Sequence, residues 1–136
     1  FTLMNDVSAR EIQKREVASG SRFWTAKNMP GFAPVGPFIL TMDEVPDTAN
    51  LWVTCDVNGQ RRLRSNTGDY LFQIADVIEH FTRYVVFEPG DMIAMGAPSG
   101  VAVGPPNAAE LYLRPGDDMV ISFEGLMSLR TRIVAP

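Results

Sequence analysis

Two segments joined by Asn58-Gly59 constrain the fold of this chain more than any other feature. Residues 51–57 alternate in side-chain character, and residues 60–65 follow directly after the Asn-Gly pair. Asn-Gly is the pair that a two-residue type I′ turn favours, because both central residues of that turn need a positive φ angle. The sequence therefore predicts an antiparallel β-hairpin across residues 51–65.

The only cysteine of the sequence, Cys55, lies on the first of these predicted strands. It shares a face with Leu51, Val53 and Val57, and period-2 patterning makes that face the buried one. A single cysteine also excludes an internal disulfide and any CxxC metal or redox motif. We interpret Cys55 as a small buried apolar residue rather than as a nucleophile.

Two helices are predicted. Ser8 and Glu11 have the S-x-x-E spacing of a capping box, which predicts a helix that continues to about Ala18 and stops at residues 19–21. Apolar side chains recur at helical spacing between Tyr70 and Tyr84. They predict a second, amphipathic helix of about four turns, which follows a turn at residues 66–69.

The other segments are predicted as short strands and one ordered loop. Residues 1–4 are expected to finish a strand, residues 38–40 to form one, and residues 129–134 to contain the last. Each of two Pro-Gly pairs predicts a turn that leads into a strand, at residues 92–95 and 119–123. The prolines and glycines of residues 23–37 disfavour both helix and sheet, so these residues are predicted as a loop. Two helices among many short strands indicate a β-rich α+β class.

Charge and hydropathy exclude several kinds of protein. The net charge of −4 at pH 7 provides no basic patch for nucleic acid. No apolar run approaches the roughly 20 residues that a membrane span needs, and no signal-peptide pattern opens the chain. These observations favour a cytoplasmic enzyme or domain. The 136-residue sequence opens at Phe1 without an initiator methionine, which we interpret as a fragment or a processed product.

Candidate functional residues converge near the start of the chain. Asp6 could ligate a hard cation such as Mg²⁺, or it could cap the first helix. Arg10 and Gln13 lie three residues apart and could bind a substrate carboxylate, although a solvated helix face is the commoner explanation. Lys27 lies among apolar residues. It could act as an acid, a base or an electrostatic clamp on an enolate, or it could simply keep its charge in solvent above a buried stem.

Two further features are weaker candidates. His80 is predicted to lie in solvent, and as the only histidine of the sequence it excludes a multi-histidine zinc site. Residues 96–100 could offer backbone N–H groups to an anion. This loop lacks the Gly-Lys-Ser/Thr ending of a P-loop, so nucleotide phosphate binding is not supported.

Taken together, these segments resemble the fumarylacetoacetate hydrolase superfamily. Residues 5–13 are similar to its (N/L)D-x-(S/T)-A-R-D-x-Q segment. Residues 24–27 and 33–37 are similar to its W-x-x-(A/G)-K and (C/A)-P-(L/V)-G-P segments. The later matches follow in the family's order: Val57-Asn58-Gly59, Pro89-Gly90-Asp91, Pro98-Ser99-Gly100 and Pro115-Gly116-Asp117. The resemblance covers nearly the whole chain, but only the C-terminal part of the family's domain.

The resemblance implies a mixed β-roll with two helices that is incomplete at its N-terminus. Residues 1–136 would be the C-terminal part of a single catalytic domain. The resemblance also implies a Mg²⁺ or Mn²⁺ site of three carboxylates, with Asp6 as the third metal ligand. Lys27 would be the catalytic residue that adds positive charge at the enolate oxygen. The implied substrate contacts are Arg10, Gln13, Lys27, Gly96 and Ala97.

The implied reaction is metal-dependent hydrolysis of a C–C bond in diketo or oxo-dicarboxylic acids, as in aromatic-compound catabolism. Isomerisation, decarboxylation and hydration are alternatives, and a cytoplasmic homodimer is expected. The sequence departs from the family in two ways. The family's E-x-E ligands and lid segment lie upstream of Asp6 and are absent here, so the isolated chain is expected to be inactive. Ala97 also replaces a threonine hydroxyl by a methyl group, which leaves a non-catalytic relative or a small-molecule binding module as alternatives.

Overall fold

A four-stranded antiparallel sheet with the order β4-β3-β5-β6 is the centre of the fold. The computed structural model describes residues 1–21, 24–102 and 106–135. The sheet consists of β3 (Trp52–Val57), β4 (Gln60–Asn66), β5 (Asp118–Phe123) and β6 (Met127–Arg132). The predicted hairpin is confirmed as β3 and β4. Asn58 has a φ angle of 52° and Gly59 one of 76°, as a type I′ turn requires.

A second, two-stranded sheet pairs the start of the chain with the segment before Pro37. In it, β1 (Leu3–Met4) runs antiparallel to β2 (Val35–Gly36). Four α-helices are described: α1 (Arg10–Ala18), α2 (Trp24–Lys27), α3 (Ile74–Phe81) and α4 (Ala108–Leu111). A 3₁₀ turn spans Thr67–Asp69. The α+β class is confirmed, although two one-turn helices join the two that were predicted.

One face of the larger sheet carries the apolar core. The buried residues that pack together come from both sheets and from the connecting loops: Leu3, Leu40, Val45, Leu51, Ile121 and Met127. Cys55 packs against this cluster, and burial raises the pKa of its thiol. A thiol held protonated in apolar surroundings is a poor nucleophile, which agrees with the structural interpretation of this residue.

The opposite face of the sheet carries polar side chains, several of which form ion pairs. Arg64 Nε donates to Glu124 Oε1 at 3.0 Å, and its guanidinium carbon lies 3.6 Å from the centre of the Trp52 ring. Arg130 Nε donates to Asp118 Oδ1 at 2.7 Å. These arginine hydrogen bonds lower the pKa of Glu124 and of Asp118. Because the pairs are exposed, they orient side chains more than they stabilise the fold.

The first predicted helix is confirmed, but its predicted cap is wrong. The helix α1 begins at Arg10 after Ala9, and no side chain caps its N-terminus. The Ser8 hydroxyl instead donates to the Asp6 carbonyl oxygen at 3.2 Å. This local bond diverts Ser8 from the helix, which is a common alternative for serine near a helix start. The predicted end is confirmed, since α1 ends at Ala18. Gly20 follows with a φ angle of 80°, which does not continue a helix.

The second predicted helix is shorter than expected. Its apolar pattern runs from Tyr70 to Tyr84, whereas α3 spans only Ile74–Phe81. Tyr70 is extended, with a ψ angle of 132°, because it closes the preceding 3₁₀ turn. The Asp76 carboxylate accepts a hydrogen bond from the Gln73 backbone N–H at 2.8 Å, which sets the start of the helix.

Two predicted strands are absent, and the predicted loop is more regular than expected. Residues 38–40 make only separate hydrogen bonds to the first two residues, such as Leu40 N to Phe1 O at 2.7 Å. Residues 92–95 form no ladder with any described residue. The predicted loop contains α2 and β2, while Phe23, its first residue, lies outside the described residues. None of the described helices is both long enough and apolar enough to span a membrane.

Candidate functional site

Asp6 and Lys27, two of the predicted site residues, form an ion pair. Asp6 lies between β1 and α1, and Lys27 is the last residue of α2. The Lys27 ammonium donates to Asp6 Oδ2. The Lys27 side chain is 28% exposed and the Asp6 side chain 40% exposed. Because both side chains are partly exposed, this ion pair adds little to the stability of the fold. Its two charges are instead available to contact a ligand.

Asp6 is held in place by its neighbour Asn5. The Asn5 side chain is only 5% exposed. Its amide nitrogen donates to Thr131 Oγ1 at 3.2 Å and approaches Met119 Sδ at 3.3 Å, which ties the segment to β5 and β6. The Asn5 backbone N–H donates to the Pro34 carbonyl oxygen at 3.0 Å. Asp6 therefore projects from a backbone that is anchored on both sheets.

Lys27 is held in place through the short helix α2. Ala26 is fully buried, and its carbonyl oxygen accepts a hydrogen bond from the Ala9 N–H at 2.9 Å. On the other side, Glu16 accepts hydrogen bonds from the backbone N–H groups of Thr25 at 2.7 Å and of Ala26 at 3.2 Å. Burial acts to raise the pKa of Glu16, but the hydrogen bonds from Thr25 and Ala26 outweigh it, so the pKa is lowered.

Sequence reasoning did not single out Glu16 as a site residue. One signal could have indicated it. The first N–H groups of a helix lack partners within the helix and need an acceptor from elsewhere. Glu16 lies two turns along α1, ahead of the Trp-Thr-Ala-Lys segment, and carries the acceptor that such a turn requires.

Arg10 and Gln13 lie on the first turns of α1 and contact each other. Arg10 Nη1 donates to Gln13 Oε1 at 2.8 Å, and both residues are half-buried. The bond occupies the amide oxygen of Gln13, so its amide nitrogen is the group that this side chain can offer to an anion. In the part of the chain that the structure describes, no hydrogen bond joins either residue to Asp6 or Lys27.

The predicted substrate loop contains Gly96 and Ala97. Ala97 borders an open cavity of about 420 Å³, whose other lining residues come from the end of β4, the 3₁₀ turn and the loop itself: Ser65, Asn66, Asp69, Tyr70, Met95, Pro98 and Ser99. Burial raises the pKa of the Tyr70 hydroxyl. None of the Asp6, Arg10, Gln13 and Lys27 group lines this cavity. Among the described residues, hydrogen bonds thus join Asp6 to Lys27 and Arg10 to Gln13, whereas Ala97 lines a cavity to which none of these four contributes.

His80 is exposed on α3, as predicted. Its ring meets the edge of the Phe81 ring, with the ring centres 5.3 Å apart, and lies 5.5 Å from the Tyr84 ring. Its neighbour Arg83 pairs with Glu79. Within the described part of the chain, these contacts do not link His80 to any predicted site residue.

The described residues do not by themselves fit a divalent metal. No group of three or more histidine, cysteine, aspartate or glutamate side chains could hold an ion among residues 1–21, 24–102 and 106–135. Asp6 offers one carboxylate, and Lys27 already neutralises it. Hard cations such as Mg²⁺ need several oxygen ligands, so this chain can supply only part of such a site.

Calorimetry can test this deficit. Titration of Mg²⁺ into the 136-residue chain is expected to show no micromolar binding, because one carboxylate next to an ammonium cannot replace the hydration shell of the ion. The Lys27→Met variant is the matched control, since it removes the competing cation and leaves the carboxylate. Micromolar binding to the unmodified chain would contradict the prediction and would place a complete metal site within these residues.

Comparison with known proteins shows where this arrangement belongs. The family described as fumarylacetoacetate (FAA) hydrolase C-terminal matches residues 1–134. An uncharacterized protein of Staphylococcus epidermidis is 35% identical over 135 residues, and one of Staphylococcus aureus strain USA300 is 34% identical over the same length. Each alignment covers 98% of this chain but 42% of the relative. The chain thus spans less than half the length of these curated relatives.

The chain is also similar to solved structures. A fumarylacetoacetate hydrolase from Exiguobacterium antarcticum is 35% identical, with a TM-score of 0.87, over 98% of this chain and 46% of that one. A 5-carboxymethyl-2-hydroxymuconate delta-isomerase from Mycobacterium smegmatis is 33% identical, with a TM-score of 0.80, over 98% and 47%. A 2-hydroxyhepta-2,4-diene-1,7-dioate isomerase from Mycobacterium marinum is 32% identical, with a TM-score of 0.79, over 98% and 46%.

These matches confirm the resemblance on which the fold and the site were predicted. The structural neighbours include one hydrolase and two isomerases, and all of them share the architecture described above. The family match spans all of the predicted site residues. The chain belongs to the fumarylacetoacetate hydrolase family, in which it corresponds to the C-terminal portion of the domain.

Proposed function

We propose that the polypeptide carrying this chain is an enzyme that acts on diketo or oxo-dicarboxylic acids, with hydrolysis of a C–C bond as its reaction. The observation that supports this most directly is the Asp6–Lys27 pair, fixed from both sides by buried backbone. Isomerisation, decarboxylation or hydration of related acids is the alternative, which the two isomerases among the structural neighbours favour.

The chemistry assigned to Lys27 is electrostatic. In this hydrolysis water adds to a carbonyl carbon of the diketo acid, and the C–C bond then breaks to give a carboxylic acid and an enolate. The enolate oxygen carries the developing negative charge until its carbon is protonated. A fixed ammonium next to that oxygen stabilises the transition state more than the substrate, which is the requirement for catalysis. Asp6 orients the Lys27 ammonium, because its carboxylate accepts a hydrogen bond from one of the three N–H groups and leaves the other two for a ligand.

Arg10 and Gln13 are the proposed contacts to a substrate carboxylate. An arginine guanidinium and an amide N–H are both donors with a geometry suited to carboxylate oxygens. Gly96 and Ala97 would contribute only backbone N–H groups, because the alanine methyl donates no hydrogen bond. These contacts could act on one substrate if they lie along an extended molecule, and a dicarboxylic acid has that shape.

A Mg²⁺ or Mn²⁺ ion is also proposed, with Asp6 as the ligand that this chain provides. Such an ion would act as a Lewis acid on the 2-oxo-carboxylate. Its other protein ligands would come from outside the described residues, since the described residues contain no group of three or more suitable side chains. A homodimer, a cytoplasmic location and a role in aromatic-compound catabolism stay predictions from the family resemblance.

The proposal is tested by an activity assay on the longest natural polypeptide that carries residues 1–136. Acylpyruvates of increasing length, with and without a second carboxylate, are mixed with the protein and Mg²⁺, and loss of the enol absorbance is recorded. We expect turnover that is highest for the dicarboxylic substrates. Binding without turnover would favour the binding module, and absence of both would favour a relative that keeps only the scaffold.

A further inference from the structure

We propose that Glu16 is the positioning residue of this site: its carboxylate holds the first turn of α2 and thereby sets the Lys27 ammonium against Asp6. The inference rests on the role proposed above for Lys27, but it concerns a residue for which the described part of the chain shows no hydrogen bond or ion pair to Asp6 or to the Lys27 ammonium.

The geometry of α2 makes an external acceptor necessary. The helix spans only four residues, Trp24–Lys27, so most of its N–H groups cannot find a partner within it. Glu16 uses both carboxylate oxygens on two consecutive N–H groups. Oε1 accepts from Thr25 at 2.7 Å, and Oε2 accepts from Ala26 at 3.2 Å.

The two hydrogen bonds act on the residue next to Lys27. Ala26 is fully buried, and its N–H and carbonyl are both occupied, by Glu16 on one side and by the Ala9 N–H on the other. The backbone that enters Lys27 is therefore held at two points by α1 and the residue before it. A charged acceptor makes stronger bonds than a neutral one, and the lowered pKa of Glu16 keeps the carboxylate ionised at neutral pH.

The other charged residues of α1 do not share this task. Glu11 pairs with Lys14, with Oε1 and Nζ 2.9 Å apart, and both side chains are largely exposed. Glu11 is thus a matched control, because it lies on the same helix, carries the same charge and contacts a side chain rather than α2.

The first test measures the ion pair directly in the 136-residue chain by NMR. Glu16→Gln keeps the size of the side chain but offers one acceptor oxygen where the carboxylate offers two. We expect faster amide exchange at Thr25 and Ala26 and a shift of the Asp6 carboxyl carbon resonance. In the Lys27→Met background, Glu16→Gln should leave the Asp6 resonance unchanged. Glu11→Gln should leave it unchanged in both backgrounds.

The second test measures turnover in the polypeptide that carries this chain. Glu16→Gln is expected to lower kcat about tenfold with little change in KM, because misplacing a catalytic group affects the transition state most. In the Lys27→Met background it should have no further effect, whereas a merely structural residue would lower kcat in both. Glu16→Asp retains the charge with a shorter reach, and we expect a smaller loss. It serves as the measured variant should Glu16→Gln not fold by circular dichroism.

The outcomes separate this inference from the proposed function. An unmodified protein that turns over no oxo acid would overturn the proposed function, while the NMR measurement would still test whether Glu16 positions Lys27. An Asp6 resonance that Glu16→Gln leaves in place, or an equal loss of kcat in both backgrounds, would overturn the positioning role.

Discussion

Replacing Lys27 by methionine is expected to lower the turnover of a diketo acid by at least about a hundredfold, the loss typical when one preorganised donor to a developing oxyanion is removed. Methionine keeps an unbranched apolar stem of similar length and removes the ammonium, with its charge and its N–H donors. Stability should change little, because the Lys27–Asp6 pair is partly exposed and such pairs contribute about 1 kcal/mol or less. The measurement is kcat and KM on the best substrate, together with the denaturant midpoint.

Lys14→Met is the matched control for this change. Lys14 lies on α1, its side chain is 58% exposed, and its partner is Glu11 rather than Asp6. It should retain the activity of the unmodified protein. A Lys27→Met variant that is folded and turns over substrate at the original rate would remove Lys27 from the site and leave the ion pair with a structural role only.

The parts of the fold that were predicted correctly are those with a local cause. The hairpin depends on Asn58 and Gly59, whose positive φ angles are a property of the residues themselves. The strand β5 follows Pro115-Gly116, and α1 ends near Gly20, for equally local reasons. Each of these signals lies within a few residues of the structure that it specifies, so no knowledge of a distant partner was needed.

The wrong predictions concern segments whose structure depends on a partner. Residues 92–95 are as apolar as a strand, yet a strand needs a second strand beside it, and no described residue pairs with them. The helix α3 shows the same dependence. The residues that continue its apolar pattern at either end are exposed, since Leu71 is 89% exposed and Tyr84 is 75% exposed. Periodicity indicates an apolar face without saying what, if anything, covers it.

The candidate site was predicted in its residues but not in its connections. Asp6 and Lys27 were singled out by residue type and by the family motif, and the structure joins them. The hydrogen bonds from Thr25 and Ala26 to Glu16 were not predicted, because nearly every residue carries the same backbone N–H, and the one available signal was that a short helix needs an acceptor from elsewhere. Likewise, the motif series did not show that Ala97 lines a cavity with Asn66 and Tyr70.

Replacing Asp6 by asparagine is expected to lower turnover by at least about a hundredfold as well, but through a different defect. Asparagine has nearly the same shape, so the anchoring of Asn5 on β5 and β6 is retained. What is lost is the negative charge that orients the Lys27 ammonium and that could ligate a metal ion. Asp43→Asn is the control, because Asp43 accepts a hydrogen bond from Thr41 in an exposed loop and contacts neither site residue. Its turnover should be unchanged.

The double variant of Asp6 and Lys27 decides whether the two residues act as a unit. Residues that act together in one step lose almost all their effect when the first is removed, so the second substitution should cost little more. We therefore expect the turnover of the double variant, Asp6→Asn with Lys27→Met, to be at most about threefold lower than that of the slower single variant. Such a deviation from additivity is typical of coupled neighbours. Multiplication of the two single losses would instead mean independent roles. Asp6 would then act on substrate or metal without orienting the lysine, and the paired geometry would be incidental to catalysis.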